Sequence, residues 1–353
     1  MKATIFDVAK EAGVSISTVS NALNGKKNVS AATRERIDNA VKKLGYSTDP
    51  AASSLKSRNS HIIGLIVPSI DSAFFPAVIS GLQSVLEENG YIINFYATGF
   101  NAAVEEQYIQ TLLRSRADGI ILDSVSTDRH FLQSVTTLGS SGKSVPVVAL
   151  ERDLTELGLT SIYADNTRGG NMAASHLAER GAGRIAHIFG LAAAPWSHDR
   201  HAGYREALEE AGLPYDPDLV VQGDFSLLGG YRATEQLLES GKPFDAIFAA
   251  NDLMAVGVIK ALNAHGIRVP EDVYVAGFDN TYVAALTTPP VTTIDIPKYQ
   301  LGVQAGETVM RALETGVTGE RICLPLRLME RRSSHIGLPE FLDKDSIAES
   351  FGK

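Results

Sequence analysis

Apolar residues follow two different rhythms along the chain. In the first 46 residues they recur at helical spacing: Ile5, Val8, Ala9 and Ala12, then Val19 and Leu23, then Ile37, Ala40, Val41 and Leu44. Residues three or four apart share a helix face, so three short helices are predicted. Their ends are marked. Thr4 and Asp7 read as a capping box with Asp in place of Glu. Ser15 and Ser30 read as N-caps, Gly13 and Gly45 as stops, and Asn24-Gly25 ends the second helix. About three residues separate the first two helices, and a turn that tight makes a helix-turn-helix.

From His61 onward short apolar runs alternate with amphipathic stretches. The strand candidates are IIGLIV (62–67), YIINFYA (91–97), GIILD (119–123), PVVALE (146–151), RIAHIFG (184–190), DAIFAA (245–250) and DVYVAGFD (272–279). This alternation predicts an α/β fold of parallel sheets with right-handed crossovers and helices on both faces. More than 270 residues is large for one sheet, so two lobes are expected, with ligands beyond the carboxyl ends of the strands. The organisation is a small all-α head over 1–47, a hinge and linker over 48–60, a two-lobed body over 61–338 and a tail over 339–353. In the hinge, Asp49 reads as an N-cap and Pro50 as the first helical residue. Two turns of helix do not persist alone in water, so the segment either folds with a partner or is an ordinary linker.

Charge separates head from body. The chain carries −9 overall, but residues 1–60 hold ten Lys/Arg against five Asp/Glu, a net +5, which leaves −14 on the rest. A basic head on an acidic body points to a polyanion partner for the head alone. The one cysteine, Cys323, excludes an internal disulfide framework and a cysteine metal cluster. No apolar run approaches the ~18 residues of a membrane span, and MKATIFDVAKEAG carries no secretory signal. A cytoplasmic protein with no membrane partner is expected.

The second predicted helix, within VSISTVSNALNG (14–25), is uncharged. With Val19 and Leu23 inward, Ile16, Ser17, Ser20 and Asn21 look outward. Short neutral side chains let a helix sink into a major groove. Asn21 can be bidentate to adenine, and Ile16 can meet a thymine methyl. Ser15, Thr18 and Ser20 are candidate phosphate donors, with Thr4, Asn24 and Ser30 beside them and the lysines supplying sequence-blind attraction.

Enzyme signals in the body are weak. GAGRIA (181–186) matches a dinucleotide fingerprint formally, but it follows a helix and precedes a strand, the wrong order. His198 and His201 have the spacing of two metal ligands without a third nearby. No nucleophile–base pair stands out, so no catalytic residue, metal or cofactor is assigned. The informative residues sit at strand ends: Asp71, Asp165, Asn251 and Asp279, with Arg200 and the aromatics Phe74, Phe75, Trp196 and Phe225. Carboxylates, an amide, a guanidinium and aromatic faces suit a polyhydroxylated ring. Each Asp taken singly reads equally as a helix N-cap, and Trp196 equally as packing.

TIFDVAKEAGVSISTVSNALNG and VSAATRERIDNAVKKLGY together resemble the DNA-binding head of the lactose-repressor/galactose-repressor family, almost continuously from Thr4 to Tyr46. Where many relatives carry Arg, this chain has Asn21, so the resemblance transfers the docking mode but not the operator sequence. It also implies that the hinge helix folds on DNA beside its twin. Leu55 matches the leucine that wedges into the minor groove, with Ala52 and Lys56 as neighbouring contacts. VPSIDSAFFPAVISGL, ADNTRGG, DRHAGYREALEEAGL, NDLMAVGVIKAL and GFDNTYVAALTTPPVTTIDIP resemble the family's periplasmic-binding-protein-like effector domain. Asp71, Phe74 and Phe75 match its N-lobe loop, and Arg200, Phe225, Asn251 and Asp279 its C-lobe positions. The family topology implies lobe crossings near 164, 292 and 322, that is, an N-lobe of about 61–164 and 293–322 and a C-lobe of about 165–292 and 323–338.

The tail EFLDKDSIAESFGK has no leucine heptad, so a homodimer on a palindromic operator is expected rather than a coiled-coil tetramer. The leading expectation is a repressor released by a sugar or sugar derivative. A regulator needing a purine-like co-repressor is the alternative. A transport-type sugar-binding protein and an enzyme with a fused DNA-binding head are the remaining readings.

Overall fold

In the computed structural model, residues 3–23, 29–46, 59–126, 128–135 and 145–340 are described. Asn24, the hinge with Ala52, Leu55 and Lys56, and the tail beyond 340 lie outside the described residues. The chain divides into two compact units, residues 1–60 and 61–353.

The first unit contains helices α1 (Ile5–Ala12), α2 (Ile16–Leu23) and α3 (Ala31–Leu44). The capping box forms: Asp7 N–H donates to Thr4 Oγ1, and Thr4 N–H donates to Asp7 Oδ2 at 2.9 Å. Gly13 and Gly45 close α1 and α3 at φ 64° and 58°, where a Cβ would be strained. Val8, Ala9, Ala12, Val19, Ala22, Ile37 and Ala40 form the core of this unit. On α2 the inward pair is therefore Val19 and Ala22, with Leu23 half-buried beside them.

The second unit holds two six-stranded sheets. The first consists of β1 (Ile62–Val67), β2 (Ile92–Ala97), β3 (Gly119–Leu122), β4 (Val147–Leu150), β5 (Thr160–Ala164) and β11 (Arg321–Leu324), in the order β11-β5-β4-β3-β1-β2. The second consists of β6 (Ile185–Phe189), β7 (Val220–Gln222), β8 (Ala246–Ala249), β9 (Tyr274–Asp279), β10 (Thr292–Asp295) and β12 (Arg327–Met329), in the order β12-β10-β9-β8-β6-β7. Every ladder is parallel except that between β10 and β12. Strands covered on both faces read as continuous apolar runs, and Ile63 to Val67 of β1 are all buried.

All seven expected strands are present. The missed ones are β5, β7, β10, β11 and β12, which are short, polar or exposed at an edge. In β10, Thr292, Thr293 and Asp295 are buried by pairing rather than by apolarity; Thr293 Oγ1 donates to Asp252 Oδ1 at 2.6 Å. GAGRIA is a turn, with Gly181 at φ 94° leading into β6.

β10 pairs with β9 in the second sheet, so the chain leaves that sheet at Ile296-Pro297, a few residues past the expected crossing near 292. β11 pairs with β5 through Leu324, so the chain leaves the first sheet at 325–326, a few residues past the expected crossing near 322. A strand completes its ladder before the chain departs, because unpaired buried amides are costly.

Helices α4 (Phe75–Glu88), α5 (Ala102–Arg114), α6 (Arg129–Val135), α7 (Asn166–Glu179), α8 (Pro195–Glu210), α9 (Leu227–Glu239), α10 (Asp252–Ala264), α11 (Tyr282–Leu286) and α12 (Lys298–Thr315) complete the unit. Among the described residues no helix is long and apolar enough to cross a membrane. Three helix pairs touch backbone to backbone through reciprocal glycines: Gly81 with Gly302, Gly170 with Gly203, and Gly230 with Gly257. Between α7 and α8, a Cβ on Gly170 would strike the Arg200 carbonyl, and one on Gly203 the Thr167 carbonyl. This close approach sets the backbone of Arg200 directly against α7. Gly203→Ala should force the pair apart and destabilise the body by about 1–3 kcal/mol. Denaturant unfolding checks this, and an unchanged midpoint would mean the helices tolerate the extra methyl.

Candidate functional site

In the first unit, α2 presents an exposed Ser17 and half-exposed Ser20 and Asn21. Ser15 caps the helix, accepting the Thr18 N–H at 3.1 Å, and its hydroxyl lies 2.7 Å from Ser17 Oγ and 2.8 Å from Thr18 Oγ1. These hydroxyls order the start of the helix as well as offering donors. Ser30 likewise caps α3 through the Thr33 N–H at 3.3 Å. Ile16, expected to look outward, is half-buried against the core of this unit, because a helix this short shares its first turn between core and solvent.

In the second unit, the carboxyl ends of both sheets open onto one cleft of about 510 Å³. Asp71, Phe74, Phe75, Trp196, Arg200, Phe225, Asn251 and Asp279 line it, and Asp165 does not. Asp165 is an exposed N-cap of α7, accepting the Arg168 N–H at 2.9 Å. The next residue, Asn166, turns inward instead and accepts from Arg200 Nε at 2.8 Å. Asn251 both lines the cleft and caps α10: Oδ1 accepts the Met254 N–H at 2.9 Å, while Nδ2 donates to the Phe225 carbonyl at 3.0 Å.

Arg200 is 3% exposed. Beyond Asn166, its Nη1 donates to the Ala250 carbonyl at 2.5 Å and its Nη2 lies 3.2 Å from Asp279 Oδ1. The guanidinium stacks 3.7 Å over the Phe278 ring, a planar arrangement that Lys would not reproduce. Asp279 itself ends β9 at φ 97°, followed by Asn280 at φ 49°. Lys298 clamps this turn: its Nζ donates to the carbonyls of Asp279 at 2.6 Å, Asn280 at 2.9 Å and Ile296 at 3.1 Å. Phe100, Glu151 and Phe225 also have positive φ. Strained non-glycine residues thus gather at the cleft, where surrounding contacts must hold them.

Glu151 and Asp123, at the ends of β4 and β3, also line the cleft and were not expected there. They are 5% and 2% exposed, and Glu151 Oε1 and Asp123 Oδ1 have no hydrogen-bond partner among the described residues. The signal that marked Asp279, an acid ending an apolar run, was equally present in PVVALE and GIILD. Burial pushes Glu151 up to about 7, against the pull of Arg200 and with the repulsion of Asp279. Burial, with Glu151 and Glu105 adding repulsion, holds Asp123 well above the usual carboxylate range. Burial also raises Asp279, opposed by Arg200 and Lys298.

Behind Asp123, buried Glu105 accepts from Ser124 Oγ at 2.6 Å and from Val125 N–H at 3.0 Å, which fixes the loop. His198 and His201 lie in an aromatic group with His187, Phe189 and Tyr204, and among the described residues no group is set to hold a metal ion. The cleft therefore offers oriented acceptors, one guanidinium and aromatic faces, the equipment of a binding site for a small polar molecule.

A helix-turn-helix unit and a two-lobed binding body in one chain define a ligand-responsive DNA-binding regulator. Residues 4–49 match the family model of bacterial regulatory proteins, lacI family, and residues 174–334 match that of the periplasmic binding protein-like domain. The chain is 32% identical over 335 residues to the HTH-type transcriptional regulator DegA of Bacillus subtilis (strain 168), covering 95% of this chain and 98% of that protein. A lac repressor dimer bound to operator and the anti-inducer ONPF superposes with a TM-score of 0.84 at 26% identity, covering 95% of this chain and 99% of that one. A transcriptional regulator CelR–cellobiose complex does so at 0.70 and 32%, covering 94% and 99%. The chain belongs to the LacI family and is a DNA-binding transcriptional regulator.

The acid pair in the cleft gives a pH dependence with a definite sign. Folded Glu151 takes up its proton near 7 rather than near the ordinary 4.5, so the folded state binds the extra proton between those values. Glu151's contribution to stability is then fully present below about 4.5 and is lost as pH rises through about 7. At about 1.4 kcal/mol per unit, the loss attributable to Glu151 is on the order of 3 kcal/mol. Glu151→Gln should flatten that part of the profile between about pH 4.5 and 7. Parallel melting profiles for the two proteins would remove Glu151 as the titrating group.

Proposed function

We propose that this regulator is a dimeric repressor that binds a palindromic operator and is released when a hydroxyl-rich small molecule, a sugar or sugar derivative, occupies the inter-lobe cleft; it is not an enzyme. The observation that carries the reading is the cleft itself. It is lined from both lobes, by Asp71, Phe74, Asp123 and Glu151 on one side and Trp196, Arg200, Phe225 and Asp279 on the other. A ligand touching both lobes has different affinity for different lobe arrangements, and only such a difference can shift a DNA-binding equilibrium. The similarity to the CelR–cellobiose complex supports a carbohydrate ligand. The similarity to the operator-bound lac repressor dimer supports a dimer, with two heads on two half-sites.

In the dimer each α2 enters the major groove with Ser17 and Asn21 toward the bases. Leu55 wedges into the minor groove at the operator centre, with Ala52 and Lys56 beside it. Lobe rotation alters the spacing of the two hinge segments and weakens operator binding, with a coupling of about 1–3 kcal/mol. Asn21→Ala should cost about 1–3 kcal/mol on the cognate operator and relax preference at one base pair per half-site. Fluorescence anisotropy on a set of operator variants measures both. An equal loss on every sequence would make Asn21 structural rather than a base reader.

The effector is sought by thermal shift against sugars, nucleosides and sugar phosphates, and a hit is then titrated into the operator complex. The reading expects release by a carbohydrate. Tightened operator binding by a purine would establish the co-repressor alternative, and turnover of any compound would revive the enzyme reading. Arg200→Ala or Asp279→Ala should abolish the effector response while operator binding persists; normal release by the hit would place the binding site elsewhere.

A further inference from the structure

The charge lining the cleft is one-sided. Asp71, Asp123, Glu151, Asp224 and Asp279 face it, with Arg200 as the single cation among the described lining residues. Arg200 is already committed to Asn166, the Ala250 carbonyl and Asp279. Glu151 Oε1 and Asp123 Oδ1 remain buried without partners, at the ends of the paired strands β4 and β3. Aromatic faces lie in the same cleft: Phe100 and Phe225 stack at 5.9 Å and 16°, and Trp196 lies 6.5 Å from Phe225.

Each class of small ligand meets this lining differently. An anion, such as a sugar phosphate or a uronic acid, would meet a lining richer in acids than in cations, whose one guanidinium, Arg200, is already engaged. A neutral polyol supplies hydroxyl donors but no positive charge to favour the ionised form of the two buried acids. A metal ion is not provided for, since no group among the described residues is arranged to hold one. A protonated amine carries three N–H donors and a positive charge on one atom, and so supplies what buried acceptor oxygens without partners lack. Its charge is also attracted to aromatic faces.

We propose that the effector is a hydroxyl-rich ring bearing a protonated amine, an amino sugar or a related amino polyol, and that Asp123 and Glu151 receive the amine. The assignment rests on the reading of the cleft as the effector site. The two acids select the ligand by charge, and Arg200 with the aromatic wall holds the ring.

The test is calorimetric titration of the full-length protein at pH 7 with matched triads: glucose, glucosamine and glucose 6-phosphate, and the galactose and mannose counterparts. In at least one triad the amino sugar should bind tenfold or more tighter than the neutral sugar, with no measurable binding of the phosphate. Glu151→Gln and Asp123→Asn should each shrink that ratio severalfold toward one. A neutral or phosphorylated member binding as tightly as its amino partner overturns the proposal, as does the failure of every amino sugar to bind. The wild-type triads decide the matter even if a variant does not fold. A neutral sugar that binds and releases operator would leave the effector reading standing while removing the amine; if no compound of any class that binds also changes operator affinity, the cleft reading itself fails.

Discussion

A guanidinium removed from water must have its charge balanced and its donors used, and the body of this protein is arranged around that requirement at Arg200. The partners come from separate elements: Asn166 from the start of α7, the Ala250 carbonyl after β8, Asp279 from the end of β9, and the Phe278 face from β9 itself. No one of these is near Arg200 in sequence. The side chain is therefore satisfied only once the second sheet is formed and α7 and α8 are docked. The reciprocal glycines of that helix pair bring the Arg200 backbone close enough for the side chain to reach. Breaking such a buried pair on one side strands the other partner, which costs far more than the pair contributes by existing. The arrangement specifies one geometry more than it adds stability.

The same constraint reaches the crossing between lobes. Asp279 sits at positive φ, and Lys298 stabilises that turn from the first residue after the Ile296-Pro297 crossing. Asp252 supports it from behind, accepting from Thr281 N–H at 2.6 Å and Thr293 Oγ1 at 2.6 Å. A group bound at Asp279 is thus coupled by direct hydrogen bonds to the segment where the chain passes from one lobe to the other. In the proposed function, these contacts are where occupation of the cleft would bear on the arrangement of the lobes, and so on operator binding.

The two units use charge in opposite ways. The head carries a net positive charge while its second helix carries none, and in the proposed function attraction to phosphates and reading of bases fall to different residues. The body carries the acid excess, and three of its acids are buried at the ends of β3, β4 and β9. There the carboxyls are held above their ordinary range by burial.

Much of this was legible in the sequence, and the limits have physical causes. Helical spacing, capping residues and terminal glycines determined the head almost to the residue, because a short helix is specified by its own neighbours. Apolar runs determined seven strands and the two-lobed α/β body, since strands covered on both faces must be apolar. Strands buried by pairing, such as TTID at β10, carry no such mark and were not among the expected strands. Strand-end position picked out Asp71, Asn251 and Asp279, which line the cleft, yet could not separate Asp165, which caps α7 in solvent, from Glu151 and Asp123, which face the cleft. All follow the end of an apolar run. Which of them points inward depends on how each turn leaves its strand and on what packs across the cleft, and those are contacts between residues far apart in the chain.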